Sequence, residues 1–158
     1  SVIPFFIKKM KSGCIPVTDV RMTRFMITLE DGVRLVWTAF DDMMGGEIYV
    51  KKIPSMTLPD IAEAVASGVK QEIIGIRPGE KLHEQMIGVE DAPNTFSYSD
   101  YFKILPQING WNKDSDRIKD GKLVDPNFIY SSDSNSEWFS IKELQAWIKN
   151  NADKIGVI

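Results

Sequence analysis

The stretch "EIYVKKIPSMTLPDIAEAVASGVKQEIIGI", residues Glu47–Ile76, decides the fold. Glu47 to Ile53 alternates and is rich in residues that suit a pleated surface, which predicts a strand. Thr57 stands where an N-cap belongs, with Pro59 and Asp60 in the first turn, and "TLPDIAEAVAS" continues as a helix. "KQEIIGI", Lys70 to Ile76, returns to strand. Strand, helix and strand in direct succession predict helices packed on a sheet, an α/β fold that is α+β-like in a piece of this length.

The flanks extend the same alternation. Residues 2–12 predict a short helix with Pro4 near its first turn and Gly13 as its stop. "CIPVTD" follows as an extended piece, because Pro16 pushes Ile15 toward β or polyproline geometry. "TRFMITLEDGVRLVWTAFDDM", residues 23–43, reads as a strand running into a helix, with Val33, Val36, Trp37 and Phe40 at helical spacing. Gly45 and Gly46 break that pattern. Downstream, "EKLHEQMI" (80–87) places Leu82, Met86 and Ile87 on one helical face, which predicts a helix. "TFSYSDYFKILP" (95–106) is aromatic and extended, and Gln107 to Asn127 reads as a polar loop. Ser140 and Glu143 form a capping box ahead of the stripe Ile141, Leu144, Trp147 and Ile148.

The bulk composition narrows the function classes. With 158 residues, 43% of them apolar and 26% charged, the chain is expected to form a single soluble domain over 1–158. The net charge of −3 argues against bulk nucleic-acid binding. The one cysteine, Cys14, forms no internal disulfide, so a reducing, cytoplasmic compartment is expected. No apolar run approaches the ~18 residues of a membrane span, and "SVIPFFIKKMKSG" has the reverse order of a secretory leader. Ser1 in place of an initiator Met, with apolar residues beginning at once, leads us to expect a portion of a longer protein.

The chemistry concentrates in "GIRPGEKLHE", Gly75 to Glu84. Pro78 fixes its own φ and Gly79 tolerates a positive one, so "RPGE" suits a β-turn with Pro and Gly at its centre. Arg77 and Glu80 would be its corner residues. A guanidinium fork matches diphosphate oxygens, and a carboxylate accepts from paired ribose hydroxyls. The same four residues would equally suit an exposed turn with a local ion pair. His83 is the sole histidine and has no second His four residues on, so neither a zinc-protease pattern nor a metal site assembles. It is expected half-exposed in the helix after the turn. Cys14 lacks a basic neighbour in sequence and reads as a small buried residue. Arg21 and Arg24 could add positive contacts, or pair with Glu30 and Asp31 on a solvated edge. Trp111, Trp138 and Trp147 suit packing better than a ligand cage. There is no GxGxxG, GxxxxGK[ST] or GxSxG motif and no Tyr-x-x-x-Lys pair, so nothing in the chain supplies a cofactor cradle or general base.

Several segments together resemble one family. "SVIPFF", "PVTDVRMTRFMITLEDGV", "GGEIYVKKIPSM", "IIGIRPGEKLHEQMI" and "FIYSSDSNSEWFSIKEL" are similar, in order and over essentially the whole chain, to the C-terminal portion of inverting UDP-N-acetylglucosamine 4,6-dehydratases. Those enzymes are extended short-chain dehydrogenase/reductases that begin pseudaminic acid synthesis. The resemblance implies the substrate-binding part of such an enzyme, with a Rossmann domain that binds NADP and carries the catalytic Lys and Tyr lying outside these residues. It implies oxidation at C4, proton removal at C5, loss of water across C5–C6 and hydride return at C6. It implies that Arg77 contacts the UDP diphosphate, Glu80 the uridine ribose, and Val2 and Thr18 the UDP-sugar. It gives Tyr130 and Asn135 no role. It also implies a homo-oligomer at full length. A capsule-type nucleotide-sugar 4-epimerase fragment, which shares the "RPGEK" turn, and a non-catalytic nucleotide-sugar-binding or assembly module remain the alternatives. The loop Asn109 to Asp120, "KLVDPNFIYSS" and "KSGCIP" depart from the family's pattern without touching these residues.

Overall fold

A computed structural model describes residues 2–151. In chain order the first half comprises α1 (Val2–Met10), β1 (Cys14–Val17), β2 (Thr23–Phe25), α2 (Leu29–Asp42), β3 (Ile48–Lys51), β4 (Ser55–Thr57), α3 (Leu58–Val65) and β5 (Lys70–Ile73). The second half comprises β6 (Gln85–Ile87), β7 (Thr95–Ser97), β8 (Tyr101–Ile104), α4 (Ser115–Ile118), β9 (Lys122–Leu123), β10 (Tyr130–Ser131) and α5 (Ile141–Asn150). Short 3₁₀ turns at Ala92–Asn94 and Ile108–Lys113 join them. Parallel and antiparallel strand pairs occur side by side with helices, so the fold is mixed α/β as the element order implied.

The chain packs as two compact units, each assembled from separated stretches. The first takes the stretch ending at Met26, Pro54–Glu84 and the stretch from Asn135 on. Its centre is the parallel pair β1–β5, in register from Cys14 opposite Lys70 to Val17 opposite Ile73. Helix α3 lies against β1, α1 and α5. Phe6, Ile15, Val17, Met56, Ile61 and Leu144 close the core beneath them. Sequence-local chemistry fixes the helix ends. The Thr57 hydroxyl accepts from Asp60 N–H at 3.2 Å at the start of α3. Ser140 and Glu143 make the reciprocal capping box of α5. Antiparallel β2 and β4 complete this unit, Arg24 standing opposite Met56.

The second unit takes Ile27–Ile53 and Gln85–Ser134. It holds a four-stranded antiparallel sheet in the order β3-β8-β7-β9 and the pair β10–β6. Phe102 packs against Phe128 and Tyr130 with ring centroids 5.1 and 5.0 Å away. The Tyr130 hydroxyl closes both polar groups of Ile53, donating to its carbonyl at 3.0 Å and accepting from its N–H at 2.8 Å. A charge cluster sits beside this core. Asp42, at the end of α2, accepts from Tyr49 and from buried Lys103, each at 2.7 Å, and from Lys119. Burial opposes ionisation of Asp42, but these hydrogen bonds outweigh it and bring its carboxyl down to about 2. Burial, reinforced by Asp42, pushes the Tyr49 phenol well above its ordinary range. Buried Arg117 pairs with Glu47, donates to the Gly45 carbonyl at 3.0 Å and stacks 4.0 Å from the Trp111 ring centre.

Two expectations of secondary structure are corrected. Residues 80–87 form no helix: Leu82 joins the first unit's core, while Gln85–Ile87 is strand β6, with Ile87 opposite Tyr130. The apolar spacing that mimicked one helical face serves two different units. Nor is 107–127 merely loop. Asp114 caps α4 through the Asp116 N–H at 2.9 Å, and β9 pairs with β7.

Candidate functional site

The parallel pair positions the candidate residues. Ile74 N–H donates to the Val17 carbonyl at 2.9 Å, so β1 and β5 end together. Thr18 is the first residue beyond β1, and the segment leading to Arg77 leaves the same end of β5. Loops beyond the carboxyl ends of parallel strands are where open α/β sheets gather ligands.

The turn has the form its sequence implied. Glu80 N–H donates to the Arg77 carbonyl at 3.0 Å, and Gly79 takes φ 80°, which a side chain would strain. Glu80 does not pair with the Arg77 guanidinium; its carboxylate accepts from the Arg77 backbone N–H at 3.3 Å. Arg77 is exposed, and among the described residues its guanidinium forms no hydrogen bond or ion pair. A rigid turn therefore presents a free, forked cation, with one carboxylate oxygen engaged in the turn itself.

The far side of the turn is anchored by Arg24, Thr23 and His83. Arg24 Nη1 donates to the Thr23 carbonyl at 2.7 Å and the Leu82 carbonyl at 3.2 Å, and Nη2 donates to the Lys81 carbonyl at 3.2 Å. Its Nε lies 3.5 Å from Glu84. Thr23 N–H donates to the Leu82 carbonyl at 3.2 Å, and Thr23 Oγ1 shares a 2.8 Å hydrogen bond with His83 Nδ1. His83 is thus half-buried in an irregular segment rather than on a helix. Arg24 pairs with Glu84, and Arg21 clasps Asp19 at 2.8 and 3.0 Å. The Arg21 hydrogen bonds hold the Asp19 carboxyl down to about 2. Arg24 resembled a surface charge in sequence because its acceptors are main-chain carbonyls, which no residue type advertises.

Thr18 is buried beside Asp19. Val2 opens α1, half-buried against the first unit's core, which is a packing position in its own right. Cys14 is half-buried, and burial followed by a 3.5 Å contact to Glu72 raises its thiol, so it is no activated nucleophile. Among the described residues no cluster of His, Cys, Asp and Glu could hold a metal ion. No helix among them is long and apolar enough to cross a membrane. The sequence holds no glycine-rich phosphate-binding motif. What the arrangement offers is anion and hydroxyl recognition: a guanidinium, a carboxylate and a hydroxyl at one end of a parallel pair.

The chain is thus a mixed α/β fold with polar corner residues beyond the carboxyl ends of two parallel strands. It belongs to the polysaccharide biosynthesis protein family, whose model matches residues 1–106. It is 48% identical to a UDP-N-acetylglucosamine 4,6-dehydratase (inverting) of Campylobacter jejuni, over 91% of this chain and 45% of that protein. It is 39% identical to a UDP-glucose 4-epimerase of Rickettsia canadensis, over 66% of this chain and 32% of that one. The X-ray structure of Pen from Bacillus thuringiensis superposes with a TM-score of 0.75 at 31% identity, covering 95% of this chain and 44% of Pen. The chain thus spans about half the length of the relatives it matches most fully.

Proposed function

We propose that the chain is the UDP-sugar-binding portion of a C5-inverting UDP-N-acetylglucosamine 4,6-dehydratase, a lyase making a 4-keto-6-deoxy sugar for surface glycans such as pseudaminic acid. Arg77 holds the diphosphate, Glu80 the uridine ribose, and Thr18 and Val2 border the nucleotide sugar. The observation that carries this reading is the Arg77–Glu80 turn, which is stiff, anchored at both ends and free at its guanidinium. The identity to the Campylobacter dehydratase supports the choice of substrate. NADP, the catalytic Lys and Tyr, and the Rossmann domain that holds them belong to the remainder of the parent protein, which works in the cytoplasm as a homo-oligomer. Alone, the 158 residues bind the UDP-sugar poorly and catalyse nothing. Half a cleft lacks the preorganised groups on which catalysis depends.

Calorimetric titration of UDP into the chain and its Arg77→Ala variant tests the clamp. Loss of a charge-assisted contact should weaken binding about tenfold to a hundredfold. Equal affinity in both would overturn the assignment of Arg77. The similarity to the Rickettsia protein favours a second reading, a nucleotide-sugar 4-epimerase. Two chimeras separate them. Joined to the remaining chain of the Campylobacter protein, these residues should support dehydration of UDP-N-acetylglucosamine. Joined to that of the Rickettsia protein, they should not support epimerisation of UDP-glucose. The reverse pattern selects the epimerase.

A further inference from the structure

In three places an Asp or Asn is followed by Gly: Asp31–Gly32, Asn109–Gly110 and Asp120–Gly121. Glycine leaves the next main-chain nitrogen unshielded by a side chain, so each pair is chemically able to close a ring on itself. The fold guards two of them. Gly32 lies inside α2, its N–H donating to the Thr28 carbonyl at 3.1 Å, and the Asp31 carboxylate accepts from the Thr28 hydroxyl at 2.6 Å. Gly121 N–H donates to the Ile118 carbonyl at 3.0 Å, and the Tyr98 ring occupies the space where a side chain would stand. Asn109–Gly110 is different. Both residues are exposed and left-handed, with φ 54° and ψ 16° at Asn109 and φ 69° and ψ 17° at Gly110. Those dihedrals make a type I′ turn, for which Asn-Gly is the favoured sequence. Turn chemistry explains why the pair stands there but does not shield it. A side chain at Gly110 would meet nothing within 4 Å. Among the described residues the Asn109 carboxamide forms no hydrogen bond, whereas that of Asn112 is tied to Asn94 at 2.9 Å and that of Asn135 to Ser55 at 3.0 Å.

We propose that Asn109–Gly110 is a site of spontaneous covalent modification, where the carboxamide is lost and an isoaspartyl linkage forms. Asparagine is among the thermally labile residue types. The Gly110 nitrogen gives its proton to solvent base and attacks Cγ of Asn109. The N–Cγ bond forms, the Cγ–Nδ2 bond breaks, and ammonia leaves with a proton taken from solvent, so a cyclic imide remains. Closure requires rotation about ψ of Asn109, and no side chain stands against Gly110 to obstruct it. Water then opens the ring. Cleavage of the new N–Cγ bond gives aspartate in an unchanged main chain. Cleavage of the original bond between the Asn109 carbonyl carbon and Gly110 N gives isoaspartate, whose main chain runs through Cγ and is longer by a carbon. Either product adds a negative charge, and the isoaspartyl chain no longer fits the type I′ turn that leads to Trp111 and its stack on Arg117. Asn109 lies in the second unit and Arg77 in the first, so the inference does not rest on the UDP clamp.

Ageing the 158-residue chain in mildly alkaline buffer, followed by peptide mapping with mass spectrometry, tests the proposal. The peptide spanning Asn109 should gain the mass of one amide-to-acid exchange. An isoaspartyl carboxyl methyltransferase supplied with labelled S-adenosylmethionine should methylate that same peptide. The rate should lie within about tenfold of that of a free peptide of residues 107–113. Asn109→Gln, whose longer side chain closes a ring far less readily, should abolish both signals. A folded chain slower than that range would mean that the fold protects the turn, and would overturn the proposal. So would modification that appears first at Asp31, Asp120 or another asparagine, or a mass gain at Asn109 with no methyl acceptance. If the variant folds poorly, the rate, position and methylation measured on the unsubstituted chain decide the question.

Discussion

Arg24 shows how a single side chain can set the geometry of a turn more than fifty residues away. Its guanidinium gathers the carbonyls of Thr23, Lys81 and Leu82, two of them on the segment that leaves the Arg77–Glu80 turn. Arg24→Ala takes the guanidinium donors from the Thr23, Lys81 and Leu82 carbonyls, leaving Leu82 only its bond from Thr23 N–H, and should cost about 1–3 kcal/mol in urea unfolding. Arg24→Lys should recover little of it, because a point charge cannot span the forked set. Exchange at residues 77–84 should quicken in both variants. Asp42 makes a different claim. Its folded carboxyl lies at about 2 against an ordinary value of 3.8, so the stability it lends is fully present above pH 4 and lost as pH falls through 2. That loss amounts to about 2 kcal/mol. Asp42→Asn should remove this acid dependence and, by stranding the buried Lys103 ammonium, cost about 3–5 kcal/mol at neutral pH. Neither role could be read from the sequence, since Arg24 works through backbone acceptors and Asp42 gathers Tyr49, Lys103 and Lys119 across up to 77 positions.

At the scale of elements, legibility followed locality. The Thr57 and Ser140 caps and the Pro78–Gly79 turn depend on residues within four positions of one another, and each formed as the sequence implied. Ser140→Ala should therefore cost about 1 kcal/mol, read as a lowered thermal midpoint, since the hydroxyl satisfies an otherwise orphaned N–H of α5. Two segments whose structure is set by distant partners were misread. The helical spacing of Leu82, Met86 and Ile87 was genuine, but Leu82 is claimed by one core and Ile87 by the ladder with Tyr130. The polar run after Gln107 concealed β9, because a two-residue strand is defined by its partner Phe96–Ser97 and not by its own composition. The candidate site divides along the same line. Arg77 and Glu80 stood out as corner residues of a local turn, whereas the anchoring by Thr23, Arg24 and His83 exists only once distant segments meet.

For the whole molecule, the decisive property is the way the chain threads its two units. The first unit is interrupted by the stretches 27–53 and 85–134, which build the second. If the second unit unfolded alone, the first would have to hold closed two floppy loops of about 27 and 50 residues. Each closure costs about 3 kcal/mol, and the pair approaches the ~5–15 kcal/mol that keeps a domain folded. The units are therefore coupled through chain connectivity, whatever contacts they share. Single-tryptophan variants should report this directly, Trp147 in the first unit and Trp111 in the second. Their urea transitions should coincide, and Asp42→Asn, a change confined to the second unit, should shift both midpoints equally. Two separated transitions, or a shift seen only at Trp111, would mean that each unit stands without the other and that connectivity contributes nothing to their cooperativity.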